Sequence, residues 1–277
     1  QAEDGIRDAQ ESRGLGDVYK RQVIREMQLK RVLIEYPTPQ QAEIYGIDFI
    51  DLFSMVWGGI EVSPEYFYRV SKKIEAAFID KHEVTIKSEK GTYLTLSLTS
   101  RRMMFDTGTI TDESYLAGDP LIHLPAGEVY FAPVENSAEG IAVFDEVHIK
   151  GRKVKDLSLR FENGRIIDFS ALEGAEAFKN YFEQLEHAGS VLCEFGMGLN
   201  PYINRLTGLS TLDEKAIGTI HLAIGNNIPF GGRNRAENHD DMVIRKPTVI
   251  AGNLIIMESG KFMPEFHVIT TPVKRWD

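Results

Sequence analysis

The sequence predicts an α+β fold, mainly antiparallel β in its C-terminal part and preceded by helices. Apolar residues recur at helical spacing as far as Phe78, and from His82 onward the pattern changes to the alternation of half-buried strands. Two pairs of these strands are separated by short turns, Glu89-Lys90-Gly91 and Glu162-Asn163-Gly164, which join antiparallel neighbours. Helices gathered ahead of such a sheet define the class.

Residues 1–22 have no apolar period of either kind. Asp17-Val18-Tyr19-Lys20-Arg21-Gln22 matches one reading frame of a commonly used sequencing adapter, so 1–22 is read as a non-native read-through segment joined to a truncated gene. A disordered tail is the plain alternative, and both readings exclude the segment from the fold. Val23 to Tyr36 has the apolar spacing of a helix (Val23, Met27, Leu29, Val32, Leu33), stopped by Pro37 and Pro39. Gln40 to Gly58 reads as a second helix. A third starts at Ser63, an N-cap residue followed by Pro64 at the first helical position, and runs through Phe67, Val70, Ile74 and Phe78. These helices form a connector over 23–81, leaving 82–277 as the main domain.

Strands are expected over Val84–Lys87, Thr92–Leu98, Val129–Ala132, Gly140–Phe144, Leu157–Phe161 and Ile166–Phe169. Gly174 to His187 is amphipathic, with Phe178, Phe182 and Leu185 on one side, and reads as a helix. Strands return at Ile217–Ile224, Met242–Ile244 and Leu254–Met257.

Composition excludes several classes. A formal charge of −10 with no basic run argues against nucleic acid. No apolar run approaches the roughly 18 residues of a membrane span. A single cysteine, Cys193, permits neither an internal disulfide nor a cysteine zinc cluster and points to a reducing, cytoplasmic setting. Any metal must rest on histidine and carboxylate. There is no Gly-x-Ser-x-Gly elbow, and neither Gly231-Gly232 nor Gly196-x-Gly198 has the context of a phosphate loop.

Four segments set ionisable groups in apolar, β-branched surroundings, where an unpaired charge is costly to bury. They are Leu124–Pro133 with Glu128, Cys193–Pro201 with Glu194, Gly218–Gly225 with His221, and Asn238–Val243 with His239 and Asp241. In a strand His239 and Asp241 share one face, which makes half of a metal site. Both glutamates have a glycine close by that lets the backbone bend or approach closely. Together the five residues are a mixed oxygen and nitrogen set suited to a pair of divalent ions. All but Glu194 also have a plainer reading: a turn glutamate for Glu128, a core histidine for His221, a solvated polar loop for 234–241. Asp213-Glu214-Lys215, just before the His221 strand, has two readings, a group that orients a metal ligand from behind and a surface ion pair, and spacing alone favours the ion pair. His82, His123, His148, His187 and His267 have no usable partner spacing.

The motifs Leu-Pro-Ala-Gly-Glu-Val (124–129), Glu-Phe-Gly-Met-Gly-Leu-Asn-Pro (194–201), Asp-Glu-Lys-Ala-Ile-Gly-Thr-Ile-His-Leu-Ala-Ile-Gly (213–225) and His-Asp-Asp (239–241) resemble, in order and approximate spacing, those of the thermophilic metalloprotease family, the aminopeptidase T and aminopeptidase S type. The resemblance spans roughly residues 63 to 260. It implies a homodimeric leucyl-type metallo-aminopeptidase acting on peptides, with two divalent ions (zinc, cobalt, magnesium or manganese) on Glu128, Glu194, His221, His239 and Asp241. A glutamate not fully committed to metal, Glu128 or Glu194, would shuttle the proton. The helices of 23–81 then become the remnant of a truncated α/β N-terminal domain. One position departs: the family's active-site tyrosine, seven residues beyond the first histidine, is Ile228 here. Two rival readings follow, an iron-dependent ring-opening dioxygenase of the related dihydroxypyridine branch, held by His221, His239 and Asp241, and a member of the family without activity.

Overall fold

The computed structural model describes residues 29–116, 120–149 and 151–268. Segment 1–22 and the start of the helix expected over 23–36 lie outside them.

Where 23–36 is described it is not a helix. Arg31–Ile34 forms strand β1, paired in parallel with Leu121–Leu124 in register Arg31↔Leu121 to Ile34↔Leu124. Val32 and Ile34 favour extended backbone, and the pairing satisfies the peptide groups of the segment in a way that a short helix before two prolines would not. The single helix expected over 40–58 is two: α1 (Pro39–Tyr45) ends at Gly46, and α2 (Phe49–Ile60) restarts behind Asp48, whose carboxylate accepts from the amides of Ile50 and Asp51. Helix α3 (Pro64–Phe78) begins at Ser63 as expected, its hydroxyl accepting from the Glu65 amide. The late helix α4 is shorter than its apolar pattern, Ala175–Phe182, with a 3₁₀ turn at His187–Ser190. No described helix is long and apolar enough to cross a membrane.

The remaining strands are β2 (Glu83–Lys87), β3 (Tyr93–Ser97), β4 (Met104–Asp106), β5 (Leu121–Leu124), β6 (Glu128–Phe131), β7 (Glu139–Ile149), β8 (Arg152–Glu162), β9 (Arg165–Ser170), β10 (Leu192–Gly198), β11 (Thr219–Gly225), β12 (His239–Arg245), β13 (Thr248–Ala251), β14 (Leu254–Glu258) and β15 (Lys261–Phe262). Eight of them make one sheet in the order β15-β14-β13-β2-β3-β7-β8-β9, and five make a second, β12-β11-β10-β6-β4. Every described pair in these two sheets is antiparallel, so the α+β class with a mainly antiparallel sheet holds.

One core joins both sheets and α3. Phe67, Val70 and Ile74 of α3 meet Val84, Ile86, Leu94 and Leu96 of the larger sheet and Val129, Phe131, Phe195, Met197, Ile220 and Leu222 of the smaller. Full burial of such a side chain contributes roughly 1.5–3 kcal/mol, so this core fixes the smaller sheet firmly in place. A lesser core forms between α1, α2 and the segment 203–216, from Ala42, Leu52, Met55, Val56, Ile203, Leu212 and Ala216.

Candidate metal centre

The five-stranded sheet has two unlike faces. Val129, Phe131, Phe195, Met197, Ile220, Leu222, Ile224, Met242 and Ile244 point into the core. Side-chain alternation therefore puts Asp106, Glu128, Tyr130, Glu194, His221, His239 and Asp241 together on the other face. Register sets them in rows. Asp106 lies beside Glu128, which lies beside Gly198; Met104, Tyr130, Gly196, His221 and Val243 form the next row; Glu194, Ala223 and Asp241 the next; Gly225 and His239 the last. Glycine and alanine fall between the larger groups and leave a hollow floored by backbone. A Cβ on Gly196 would collide with the His221 ring. Gly127, at φ 120°, turns the chain into β6 where a side chain would strike the Phe67 ring.

The five residues singled out in the sequence form one continuous chain of contacts. Glu128 Oε2 is 3.7 Å from His221 Nε2, which is 3.1 Å from Glu194 Oε1. Glu194 Oε2 is 3.3 Å from His239 Nε2, which in turn is 3.5 Å from Asp241 Oδ2. Ligand atoms of Glu194, His239 and Asp241 lie within 4.8 Å of one another, close enough for one ion. His239 Nδ1 is 2.9 Å from the carbonyl oxygen of Asn226 and 3.5 Å from Cys193 Sγ. With Nδ1–H donating to that carbonyl, Nε2 is left as a free donor atom for metal.

Lys215 and its partners are a correction to the sequence reading. Asp213-Glu214-Lys215 is not a surface pair: all three are buried, and Lys215 has no exposed surface. Asp213 receives the amides of Thr207 and Gly208 and the Thr207 hydroxyl. The Lys215 ammonium donates to Glu128 Oε1 at 3.1 Å and to Glu214, and lies 3.9 Å from Asp106 Oδ2. Asp106 escapes the sequence reading, and Lys215 reads there as a surface group, because neither stands in an apolar run long enough to signal burial.

Charge in the hollow is concentrated. Burial pushes the carboxyls of Glu128 and Asp106 above the usual range although Lys215 opposes it, and lifts Glu214 to about 8. Burial alone would lower the His221 imidazole, but the hydrogen bond to Glu194 and the charges of Glu128, Glu194 and Asp241 outweigh it and raise it to about 9. The Tyr130 phenol is held far above its ordinary value by burial, with Glu128, Glu194 and Asp106 adding to the effect. Glu128 Oε2, Asp106 Oδ2 and His221 Nδ1 are buried without hydrogen-bond partners. The orphaned Glu128 Oε2, 3.7 Å from His221 Nε2, is an acceptor that a divalent cation would satisfy.

The model of the thermophilic metalloprotease family (M29) matches residues 69–254, which include every residue of the hollow. This chain belongs to the M29 family. A family of metalloproteases implies a divalent ion, and the donor set of this M29 member fits one. Aminopeptidase AmpS of Bacillus subtilis (strain 168) is 26% identical over 148 residues, 51% of this chain and 34% of that protein, so the chain spans about a third of this relative's length. Among solved structures, 2,5-dihydroxypyridine dioxygenase of Pseudomonas putida KT2440 is similar with a TM-score of 0.65 at 17% identity, covering 91% of this chain and 77% of that one. Wild-type AmpT of Thermus thermophilus is similar with a TM-score of 0.59 at 19% identity, covering 81% and 60%. These two likenesses establish the fold.

Proposed function

We propose that this M29 member is a metallo-aminopeptidase that releases the N-terminal residue of a peptide, using two divalent ions held by Glu128, Glu194, His221, His239 and Asp241. The observation that carries the reading is the ligand set itself: Glu128, His221, Glu194, His239 and Asp241 follow one another in contact across the hollow, more donors than one ion needs in a site that keeps a position open for substrate. A single iron on His221, His239 and Asp241 leaves Glu128 and Glu194 unexplained. The compact three-residue group also contains Glu194 and not His221.

Bound divalent ions supply a Lewis acid for the scissile carbonyl and a water acidic enough to react near neutral pH. The chain's own groups do the rest. Glu194 has one oxygen beside the Nε2 of each imidazole and so stands between the two histidines of the set. A glutamate not fully committed to metal, Glu128 or Glu194, would take the proton from water and return it to the departing amine. Peptide specificity for leucine-like N-termini, a homodimeric state and a cytoplasmic setting belong to the same proposal and rest on the family resemblance.

The test is metal content by plasma emission, followed by two assays on one preparation: hydrolysis of aminoacyl-p-nitroanilides with and without an N-acetyl block, and oxygen uptake on a dihydroxypyridine. Two ions per chain and hydrolysis that needs the free amine and stops on chelation support the proposal. One iron per chain with oxygen uptake overturns it.

A further inference from the structure

Tyr130 has no part in the set of metal ligands, yet the sheet aims it at the same hollow. It stands two residues after Glu128 on the same face of β6, and its row partner on β10 is Gly196, beyond which comes His221. No side chain therefore separates the Tyr130 ring from the imidazole. The ring packs edge-on against Phe230 at 5.4 Å between centroids, and Phe230 packs in turn against His239 at 5.2 Å. Tyr130 and the two histidines thus share one wall. Its hydroxyl has no hydrogen-bond partner among the described residues, whereas Lys215, the other donor of the hollow, is committed to three carboxylates. A buried or half-buried tyrosine ordinarily finds a partner for its hydroxyl, so a free one beside a set of metal ligands points to a partner that arrives with substrate.

We infer that Tyr130 donates its phenolic hydroxyl to the carbonyl oxygen of the scissile peptide and to the oxyanion that oxygen becomes when water adds. The inference rests on the aminopeptidase reading. The phenolic hydroxyl acts as a hydrogen-bond donor and keeps its proton. It takes no part in proton transfer: water gives its proton to the carboxylate, and the hydroxyl bond strengthens as negative charge gathers on the oxygen. A donor of this kind acts mainly on the transition state.

The decisive variant is Tyr130→Phe, which keeps the ring and its contact with Phe230 and removes only the hydroxyl. Loss of one such donor lowers kcat by roughly 10²–10³-fold with KM little changed. The second readout is binding: a phosphinic dipeptide analogue, which places a tetrahedral anionic centre where the oxyanion forms, should bind Tyr130→Phe more weakly than the parent by a comparable factor. A free amino acid should bind both alike, and metal content should be equal. A parent that hydrolyses and binds the analogue while Tyr130→Phe stays within about twofold of it in both measurements overturns the role of Tyr130 alone. A parent that does neither overturns the peptidase reading and this inference with it.

Discussion

The ammonium of Lys215 lies 3.1 Å from Glu128 Oε1 with no surface open to solvent, a cation built into the floor of an acidic hollow. It offsets part of the repulsion among Asp106, Glu128 and Glu214 when no metal is bound. Removing one partner of such a buried arrangement typically costs about 3–5 kcal/mol, because the remaining charges are left without compensation. Lys215→Met is therefore expected to lower the melting temperature of chelator-treated protein markedly. Saturating divalent metal should restore much of the loss, since the ions compensate the same carboxylates. Melts with and without metal check this, and an equal loss in both conditions would show that Lys215 acts by packing alone.

Gly196 offers a sharper probe of the histidine. Its place opposite His221 is filled by the ring, so Gly196→Ala must push the imidazole aside. The backbone there is ordinary strand, which alanine accepts, so the effect is confined to the collision. Expected are reduced metal content or affinity by competition titration and a far-ultraviolet spectrum like that of the parent. Full metal content at parental affinity would remove His221 from the ligand set.

How much of this was legible in the sequence follows from what burial does to charge. Glu128, Glu194, His221, His239 and Asp241 stand out because each interrupts an apolar run, and they do meet in one hollow. Lys215 follows two acids, and such a run looks solvated on spacing alone; only the buried carboxylates from β4 and β6 explain it. Strand β10 has no alternation to read, because every residue from Leu192 to Gly198 is buried and two of its site-facing positions are glycine. The segment before Pro37 has apolar residues that fit either period, and a strand partner ninety residues away, β5, decides between them.

Asp213 predicts a pH dependence. Burial lifts its carboxyl from 3.8 to about 6 although the amides of Thr207 and Gly208 and the Thr207 hydroxyl oppose the shift. A group whose pKa is raised by folding adds stability at pH below its unfolded value, and that contribution is lost as pH rises through its folded value. Asp213→Asn cannot titrate and also loses the acceptor of the Gly208 amide. The variant should thus be less stable than the parent at pH 4, with the gap narrowing as pH rises through about 6. Urea midpoints across that window measure it; other titrating groups are common to both proteins and cancel. A gap that is constant or widens with pH would contradict the burial effect.

Ile228 and Tyr130 are joined through one turn. Ile228 opens the 3₁₀ turn Ile228–Phe230, and Phe230 of that turn touches both Tyr130 and His239. The turn that bears the departure from the family pattern is therefore packed against the tyrosine proposed to donate to the oxyanion. Ile228 is 40% exposed, which leaves room for a larger side chain without opening the core. If one hydroxyl donor suffices, a second adds little while the first is present and much when it is gone; residues serving one function are not additive. Ile228→Tyr is accordingly expected to raise turnover more in the Tyr130→Phe background than in the parent, with metal content the same in all four proteins. Equal gains in both backgrounds would mean that the two hydroxyls act independently. No gain in either would mean that the turn does not carry position 228 to the reacting carbonyl, leaving Tyr130 as the donor on that wall.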